Sequence, residues 1–189
     1  MASQLTAQQV LHGYAMGIFP MADSDDNDCI YWYEPRMRGI IPLDGLRMSK
    51  SLKQTLRSGK FIISIDRDFE KVMRLCANRK ERWISEEIIE VYTELHQLGY
   101  AHSFEVRNSQ GDLVGGLYGV EMGKAFFGES MFHLERDASK VALVYLVEWM
   151  KLRKMELLDT QYMTDHLKTL GGIEIPQEEY LDLLLKALR

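Results

Sequence analysis

The chain has 189 residues, 46% of them hydrophobic and 27% charged, which is ordinary for a soluble globular protein and enough for one large domain or two small ones. Its formal net charge of -5 weighs against nucleic acid as a whole-surface partner. No run of about 18 apolar residues exists, which argues against a membrane span, and MASQLTAQQVLHG lacks the basic start and apolar core of a secretion signal. Cys29 and Cys76 have neither disulfide-framework nor metal spacing, and the histidines form no ligand motif, so a reducing cytoplasm is the expected compartment.

Thr6 to Gly17 reads as a helix, with Thr6 and Gln9 as a capping box and Leu5 and Val10 at staple spacing. Pro20 follows its end, Ala22 to Asp28 is a polar loop, and Cys29 to Tyr33 is a short aromatic strand. An apolar patch, Gly39 to Pro42, precedes a turn at Asp44-Gly45. Ser49 is the expected N-cap of a short helix with Leu52 and Leu56 inside and Lys50, Lys53 and Arg57 outside. Between Arg36 and Lys60 the basic residues are Arg36, Arg38, Arg47, Lys50, Lys53, Arg57 and Lys60, and Asp44 is the only acid. Such a run is either a solvated face or a local polyanion site, because salt screens distant charges beyond about 8–10 Å.

Phe61 to Ile65 is a strand, and Asp66 caps a helix with Phe69, Val72, Met73 and Cys76 at helical spacing. Ser85 starts another helix, lined by Ile88, Tyr92 and Leu95 and ended at Gly99. The pattern then changes to strands at Ala101 to Val106, Leu113 to Val120 and Lys124 to Met131. Gly115, Gly116 and Gly119 within one strand indicate either a bulge, a close approach of another group, or accommodation of twist. Ala138 to Met155 is the longest helix and apolar on most sides. Leu157 to Gln161 is a buried strand ending in polar residues, Thr164 to Leu170 a short helix, and Pro176 opens the last helix. In AFFGESMF, Glu129 and Ser130 sit at the end of an apolar strand: either a polar strand end or an acid facing a pocket.

Consecutive antiparallel strands, a buried helix and a further strand resemble an α+β core of the N-acetyltransferase-like (GNAT-like) kind, with a mixed, mostly antiparallel sheet and flanking helices. A coenzyme A enzyme of that fold carries a glycine-rich pyrophosphate loop before the long helix. Here that position reads HLERDASK, without a glycine, so no coenzyme A site is expected. A small-molecule N-acyltransferase is the alternative that this segment argues against.

The stretches GYAMGIFPM, WYEP, SKSLKQTLR, WISEEIIEVYTELHQLGYAHSFEV, LVGGLYGV, FFGESMF, ASKVAL, DTQ at Asp159 to Gln161 and DHLKTLGGIEIP, taken together, resemble the leucyl/phenylalanyl-tRNA–protein transferase family. The resemblance implies transfer of leucine or phenylalanine, and by pocket tolerance methionine, from aminoacyl-tRNA to the N-terminal Arg or Lys of a protein, marking it for N-end rule degradation. It implies no cofactor, no metal, no membrane partner and a monomer. It implies a small N-terminal subdomain over 1–60, shortened because members carry GLLA-like and GGDL-like stretches ahead of the first helix, and an aminoacyltransferase domain over 61–189.

By the same resemblance, Asp159 and Gln161 are the catalytic pair: Gln161 against the reacting amine or carbonyl, Asp159 orienting it and helping to accept the proton. Residues two apart on a strand share a face, although from the residues alone Asp159 reads as a cap or turn acid. Glu129 binds the cationic acceptor, holds the donor's α-amino group or takes a proton, and Ser130 lies near the ribose. Leu117 and Phe126 match the side-chain slot, though on their own they read as core. Tyr92 and Trp83 match positions near the terminal adenosine, and Lys50, Lys53 and Arg57 match a grip on tRNA phosphates. An activated ester needs placement and proton transfer rather than a protein nucleophile, which the scattered histidines fit.

Overall fold

The computed structural model describes residues 5–26, 28–78 and 83–189. In chain order the elements are α1 (Ala7–Ala15), β1 (Phe19–Asp23), β2 (Cys29–Tyr33), β3 (Met37–Ile40), α2 (Lys50–Arg57), β4 (Ile62–Ile65), α3 (Phe69–Ala77), α4 (Glu86–Gln97), β5 (Ala101–Arg107), β6 (Leu113–Met122), β7 (Ala125–His133), α5 (Ala138–Leu152), β8 (Leu157–Gln161), α6 (Asp165–Thr169), β9 (Ile173–Pro176) and α7 (Gln177–Ala187). Local chemistry starts the helices where the sequence places them. Thr6 accepts from the Gln9 N–H and Gln9 returns the bond, while Ser49, Ser85 and Thr164 each accept a backbone N–H three residues on.

One expected cap moves. Asp66 has a left-handed backbone, and its carboxylate accepts from the Ser103 N–H and faces His102, so α3 begins later, at Phe69. Three strands escape the periodicity, one of them β3, which begins two residues ahead of the apolar patch at 39–42. β1 occupies part of the expected 22–28 loop, of which Asn27 lies outside the described residues, and pairs with β2 as a two-stranded ribbon. β9 is a four-residue edge strand against β3.

The main sheet has seven strands in the order β4-β5-β6-β7-β8-β3-β9. Its neighbours run antiparallel except β7 and β8, which α5 connects as a parallel pair. β3, which precedes the expected boundary near residue 60, is hydrogen-bonded between β8 and β9 in this same sheet. Alternating side chains divide the core in two. One cluster joins α1, α3, α4 and α7 to the sheet through Val10, Tyr14, Val72, Tyr92, Phe127 and Tyr180. The other joins α2, α5 and α6 to it through Leu52, Phe104, Phe126, Leu146, Leu158 and Leu167.

The glycines of β6 have a physical cause. The β6–β7 register shifts between Tyr118 and Gly119, and a Cβ at Gly119 would stand 2.3 Å from the Phe127 carbonyl and 2.4 Å from the Phe126 ring. A Cβ at Gly115 would meet Ala138 at 2.5 Å, so its absence lets the start of α5 settle on the sheet. Among the described residues no helix is long and apolar enough to cross a membrane, and no cluster of metal-ligating side chains occurs.

Candidate active site

The parallel ladder between β7 and β8 covers Ala125↔Leu157, Phe126↔Leu158 and Phe127↔Asp159, and ends there. Beyond it β7 stays with β6, whereas β8 stays with β3. The opening between the separated strand ends leads into a cavity of about 780 Å³. Its polar floor is Glu129 from β7 and Thr160 and Gln161 from β8; Leu117, Leu143, Leu146 and Leu158 supply an apolar wall.

Glu129 is the centre of a short network. Gln161 Nε2 donates to Glu129 Oε1 over 2.6 Å, and Tyr14 Oη donates to the same oxygen over 2.5 Å. Because Tyr14's proton goes to Glu129, Tyr92, whose hydroxyl lies 2.6 Å from Tyr14, donates to Tyr14. Glu129 Oε2 is buried and has no hydrogen-bond partner among the described residues. Burial pushes the Glu129 pKa up to about 8; Asp159's charge adds to this, while the Tyr14 and Gln161 hydrogen bonds and Arg38 work against it. Burial, followed by the charge of Glu129, raises the pKa of both Tyr14 and Tyr92, so both phenols stay protonated.

Behind this floor lies a buried ion pair. Arg38 Nε and Nη2 hold the two Asp159 oxygens at 2.9 and 2.6 Å, and both side chains are fully buried. Tyr180 donates to Asp159 Oδ2 at 2.7 Å, and the Gln161 N–H donates to Oδ1 at 2.7 Å. Arg38 also donates to the Gly17 carbonyl and lies over the Phe19 and Tyr180 rings at 4.8 and 4.4 Å. Burial works against the Arg38 charge, but Asp159 outweighs it and raises the guanidinium's pKa. Gln161 has φ of 61°, a left-handed backbone outside the ordinary strand region.

Strand alternation therefore fails at this point. Gln161 lines the cavity and Asp159 does not, because the turned backbone points the Gln161 N–H back at Asp159 and its side chain out at Glu129. Leu117, Ser130 and Trp83 line the cavity with Glu129 and Gln161. Phe126 and Tyr92, also expected at substrate, do not: Phe126 packs edge-on to Phe104 and Trp149, and Tyr92 stands behind Tyr14. Lys50, Lys53 and Arg57 lie together on the exposed face of α2, and no carboxylate among the described residues pairs with them. Arg38, expected in that basic run, is the buried partner of Asp159 instead.

None of Tyr14, Arg38 and Tyr180 is expected at the site from the sequence, where Tyr180 reads only as an inward-facing residue of the last helix and Arg38 as part of the basic run. Tyr14 carried a signal, its place four residues after Val10 on the inward face of α1. Arg38 carried a weaker one, a single cation next to the apolar patch at 39–42.

A mixed sheet split between two parallel strands, with a long helix joining them, defines a protein of the GNAT-like α+β fold class. FemX superposes with a TM-score of 0.57 at 12% identity, covering 93% of this chain and 70% of its own. L-PGS from Bacillus licheniformis gives 0.50 at 12% identity over 96% of this chain and 76% of its own. The GCN5-related glucosamine N-acetyltransferase region of a fungal multi-domain β-N-acetylglucosaminidase gives 0.52 at 10% identity, covering 74% of this chain and 20% of that one. At these identities the likeness is one of fold.

Sequence resolves the class further. Residues 40–185 match the family model of leucyl/phenylalanyl-tRNA protein transferase, and residues 3–36 match that of its N-terminal domain. The leucyl/phenylalanyl-tRNA–protein transferase of Rhodopseudomonas palustris strain HaA2 is 50% identical, covering 100% of this chain and 85% of the relative. That of strain TIE-1 is 52% identical over 97% and 83%, and that of Ruegeria sp. strain TM1040 is 51% identical over 97% and 87%. The chain belongs to the leucyl/phenylalanyl-tRNA–protein transferase family and is an aminoacyltransferase.

Proposed function

We propose that this protein transfers leucine or phenylalanine, and also methionine, from aminoacyl-tRNA to the N-terminal Arg or Lys of acceptor proteins, marking them for N-end rule degradation. The observation that carries this reading is the Glu129–Gln161 hydrogen bond across the β7–β8 opening, beside a leucine-lined cavity. The apolar wall takes the amino acid side chain. Such a wall separates side chains that differ by one methylene by only about 1–3 kcal/mol, which fits tolerance of several unbranched or aromatic residues.

The chemistry needs a neutral amine held against an activated carbonyl. Gln161 gives its amide N–H to Glu129, so its amide oxygen is left to accept an N–H of the incoming amine and aim the nitrogen lone pair. The amine nitrogen bonds to the ester carbonyl carbon, and the bond from that carbon to the ribose oxygen breaks. The proton lost by the amine passes to Glu129 and ends on the ribose oxygen. A carboxyl with a pKa of about 8 is matched to an α-amine of similar pKa, roughly 8, so this exchange has little thermodynamic cost. The unpartnered Glu129 Oε2 is the atom assigned to it, and Ser130 serves the ribose.

Asp159 is assigned to positioning rather than to proton acceptance. Four donors already occupy its oxygens, two from Arg38 and one each from Tyr180 and the Gln161 backbone. Phe126 backs the slot from within the core, Tyr92 holds Tyr14, and Trp83 is the aromatic surface for the terminal adenosine. Residues 1–60 act as the small subdomain and 61–189 as the transferase domain, with Lys50, Lys53 and Arg57 gripping the acceptor stem and β3 joining the two parts into one sheet. The test is to mix labelled leucyl-tRNA with peptides beginning in Arg, Lys, Asp or Ala. Label is expected on the first two alone; label on acidic N-termini, or on none, overturns the reading.

A further inference from the structure

The segment HLERDASK stands where an acetyl donor's pyrophosphate loop belongs in this fold, yet it is built differently. Asp137, buried and left-handed at φ of 68°, places its own carboxylate at the N-terminus of α5, which disfavours a second anion on the helix axis. The same carboxylate organises cations around the rim. Lys140 Nζ lies 3.2 Å from Asp137 Oδ1, and Arg136 Nε lies 3.9 Å from Oδ2 with its side chain 83% exposed. Thr55 on α2 donates to Asp137 Oδ2 at 3.2 Å, so the rim is fastened to the helix that presents Lys50, Lys53 and Arg57.

The rim also borders the cavity. His133, Ser139 and His166 line its wall on this side. Ser139, 3% exposed, stands in the first turn of α5 at this wall. The His166 pKa is pushed down by burial and then by the charges of Lys140 and His133, so His166 stands within electrostatic reach of both. The carboxylates nearby are already paired: Glu135 with Lys60, Asp165 with Lys168, and Asp137 as described. The Thr55–Asp137 bond thus ties the face of α2 that presents Lys50, Lys53 and Arg57 to the turn that carries Arg136 and Lys140.

We propose that Arg136 and Lys140, with His133, His166 and Ser139 beside them, bind the phosphodiesters just upstream of the terminal nucleoside of the donor RNA. This inference rests on the aminoacyl-tRNA reading and specifies how the single-stranded 3′ end travels from the α2 face into the cavity. The rim groups hold phosphate, so they place the strand without reading its bases.

The experiment compares the full chain with Arg136→Ala, Lys140→Gln and the double variant on two donors: leucyl-tRNA, and leucyl-adenosine, which has the ester but no phosphate. The double variant is expected to raise the KM for leucyl-tRNA about tenfold. It is also expected to flatten the salt dependence of 1/KM by roughly 0.7 in log–log slope for each phosphate that is no longer held. Its KM for leucyl-adenosine stays within twofold. Arg136→Ala alone, at a freely exposed side chain, gives part of the effect with an unchanged melting temperature. An unchanged KM for leucyl-tRNA, or an equal rise for both donors, overturns the proposal while leaving the transferase reading standing. A wild-type protein that transfers leucine from neither donor refutes that reading and this inference with it.

Discussion

Glu129 and Gln161 lie on different strands, each two residues past the last hydrogen-bonded pair of β7 and β8, yet their side chains meet at 2.6 Å. The sheet is open at that point, and a side-chain bond spans the gap that the backbone leaves. It also makes the acid's ionisation depend on its neighbours, and the first prediction follows from that.

The Glu129 carboxyl has a folded-state pKa raised from 4.5 to about 8. Its contribution to stability is therefore complete below pH 4.5 and is lost as pH rises toward 8, because the unfolded chain ionises first. Glu129→Gln keeps a neutral side chain at every pH. The melting temperature of the wild type relative to this variant is expected to fall steadily between pH 5 and pH 8, while the variant loses transfer by about 100-fold or more. Tyr14→Phe, which removes a hydrogen bond to the anion, is expected to move the acid limb of the kcat/KM profile upward by about one pH unit. A flat difference in melting temperature across that window would remove Glu129 from the proton pathway.

Gln161 carries a side chain proposed to orient the amine on an unfavourable backbone, and the two can be separated. Gln161→Ala and Gln161→Gly both delete the amide, and both are expected to reduce transfer by at least about tenfold without weakening tRNA binding. Glycine is at ease at φ of 61°, whereas alanine is not. The glycine variant is therefore expected to be more stable than the alanine variant by about 1 kcal/mol in urea unfolding. Equal midpoints would mean that the strand end relaxes when the side chain is gone.

Much of the frame was legible in the chain. Caps at Thr6, Ser49 and Ser85, the strand run from Ala101 onward and the buried helix at 138 all follow from local chemistry that operates within a few residues. What was not legible depends on partners far apart in sequence. Arg38 reads as one more cation in a basic run until the fold brings Asp159, 121 positions away, against it. Asp66 reads as a helix cap because its competing partners, Ser103 and His102, come from a distant strand. β9 is too short to show a period, and Asp159 and Gln161 shared a face only while the strand was assumed regular. The family resemblance named Asp159 and Gln161 as a pair facing one side; their arrangement, one set behind the other, is a product of the fold.

That arrangement assigns Arg38 and Asp159 a stability signature that an exposed catalytic acid would lack. Removing one partner of a fully buried ion pair leaves the other charge without compensation. Arg38→Met and Asp159→Asn are each expected to cost about 3–5 kcal/mol in chemical unfolding, and Tyr180→Phe about 1 kcal/mol. Transfer by the Tyr180→Phe protein, still folded, is expected to fall mainly in kcat, because Gln161 loses its backing. An Asp159→Asn protein as stable as the wild type would contradict the positioning role.

Lys50, Lys53 and Arg57 are exposed on α2 and carry no structural duty that the described residues reveal. Changing all three to Ala is expected to leave the melting temperature within a degree or two. The dissociation constant for leucyl-tRNA is expected to rise by roughly tenfold or more, and its salt slope to fall by about 2–3. The kcat at saturating tRNA should hold, since none of the three lines the cavity. Unchanged affinity at low salt would move the RNA to another face.

The leucine wall offers a test of what sets amino acid choice. Leu143 is 3% exposed and lines the cavity from α5. Leu143 belongs to the core cluster as well as to the cavity wall, so Leu143→Phe is expected to carry an overpacking cost of about 1 kcal/mol, the low end of the usual range, because the cavity can take part of the added volume. The larger ring occupies room that a phenylalanine donor needs and a leucine donor does not. In competition between leucyl-tRNA and phenylalanyl-tRNA, the leucine-to-phenylalanine ratio of kcat/KM is therefore expected to rise by about tenfold, toward the lower end of the roughly 1–3 kcal/mol that a hydrophobic pocket can discriminate. Binding of uncharged tRNA should not change. A ratio that stays put while the protein remains folded would place the amino acid side chain somewhere other than against Leu143.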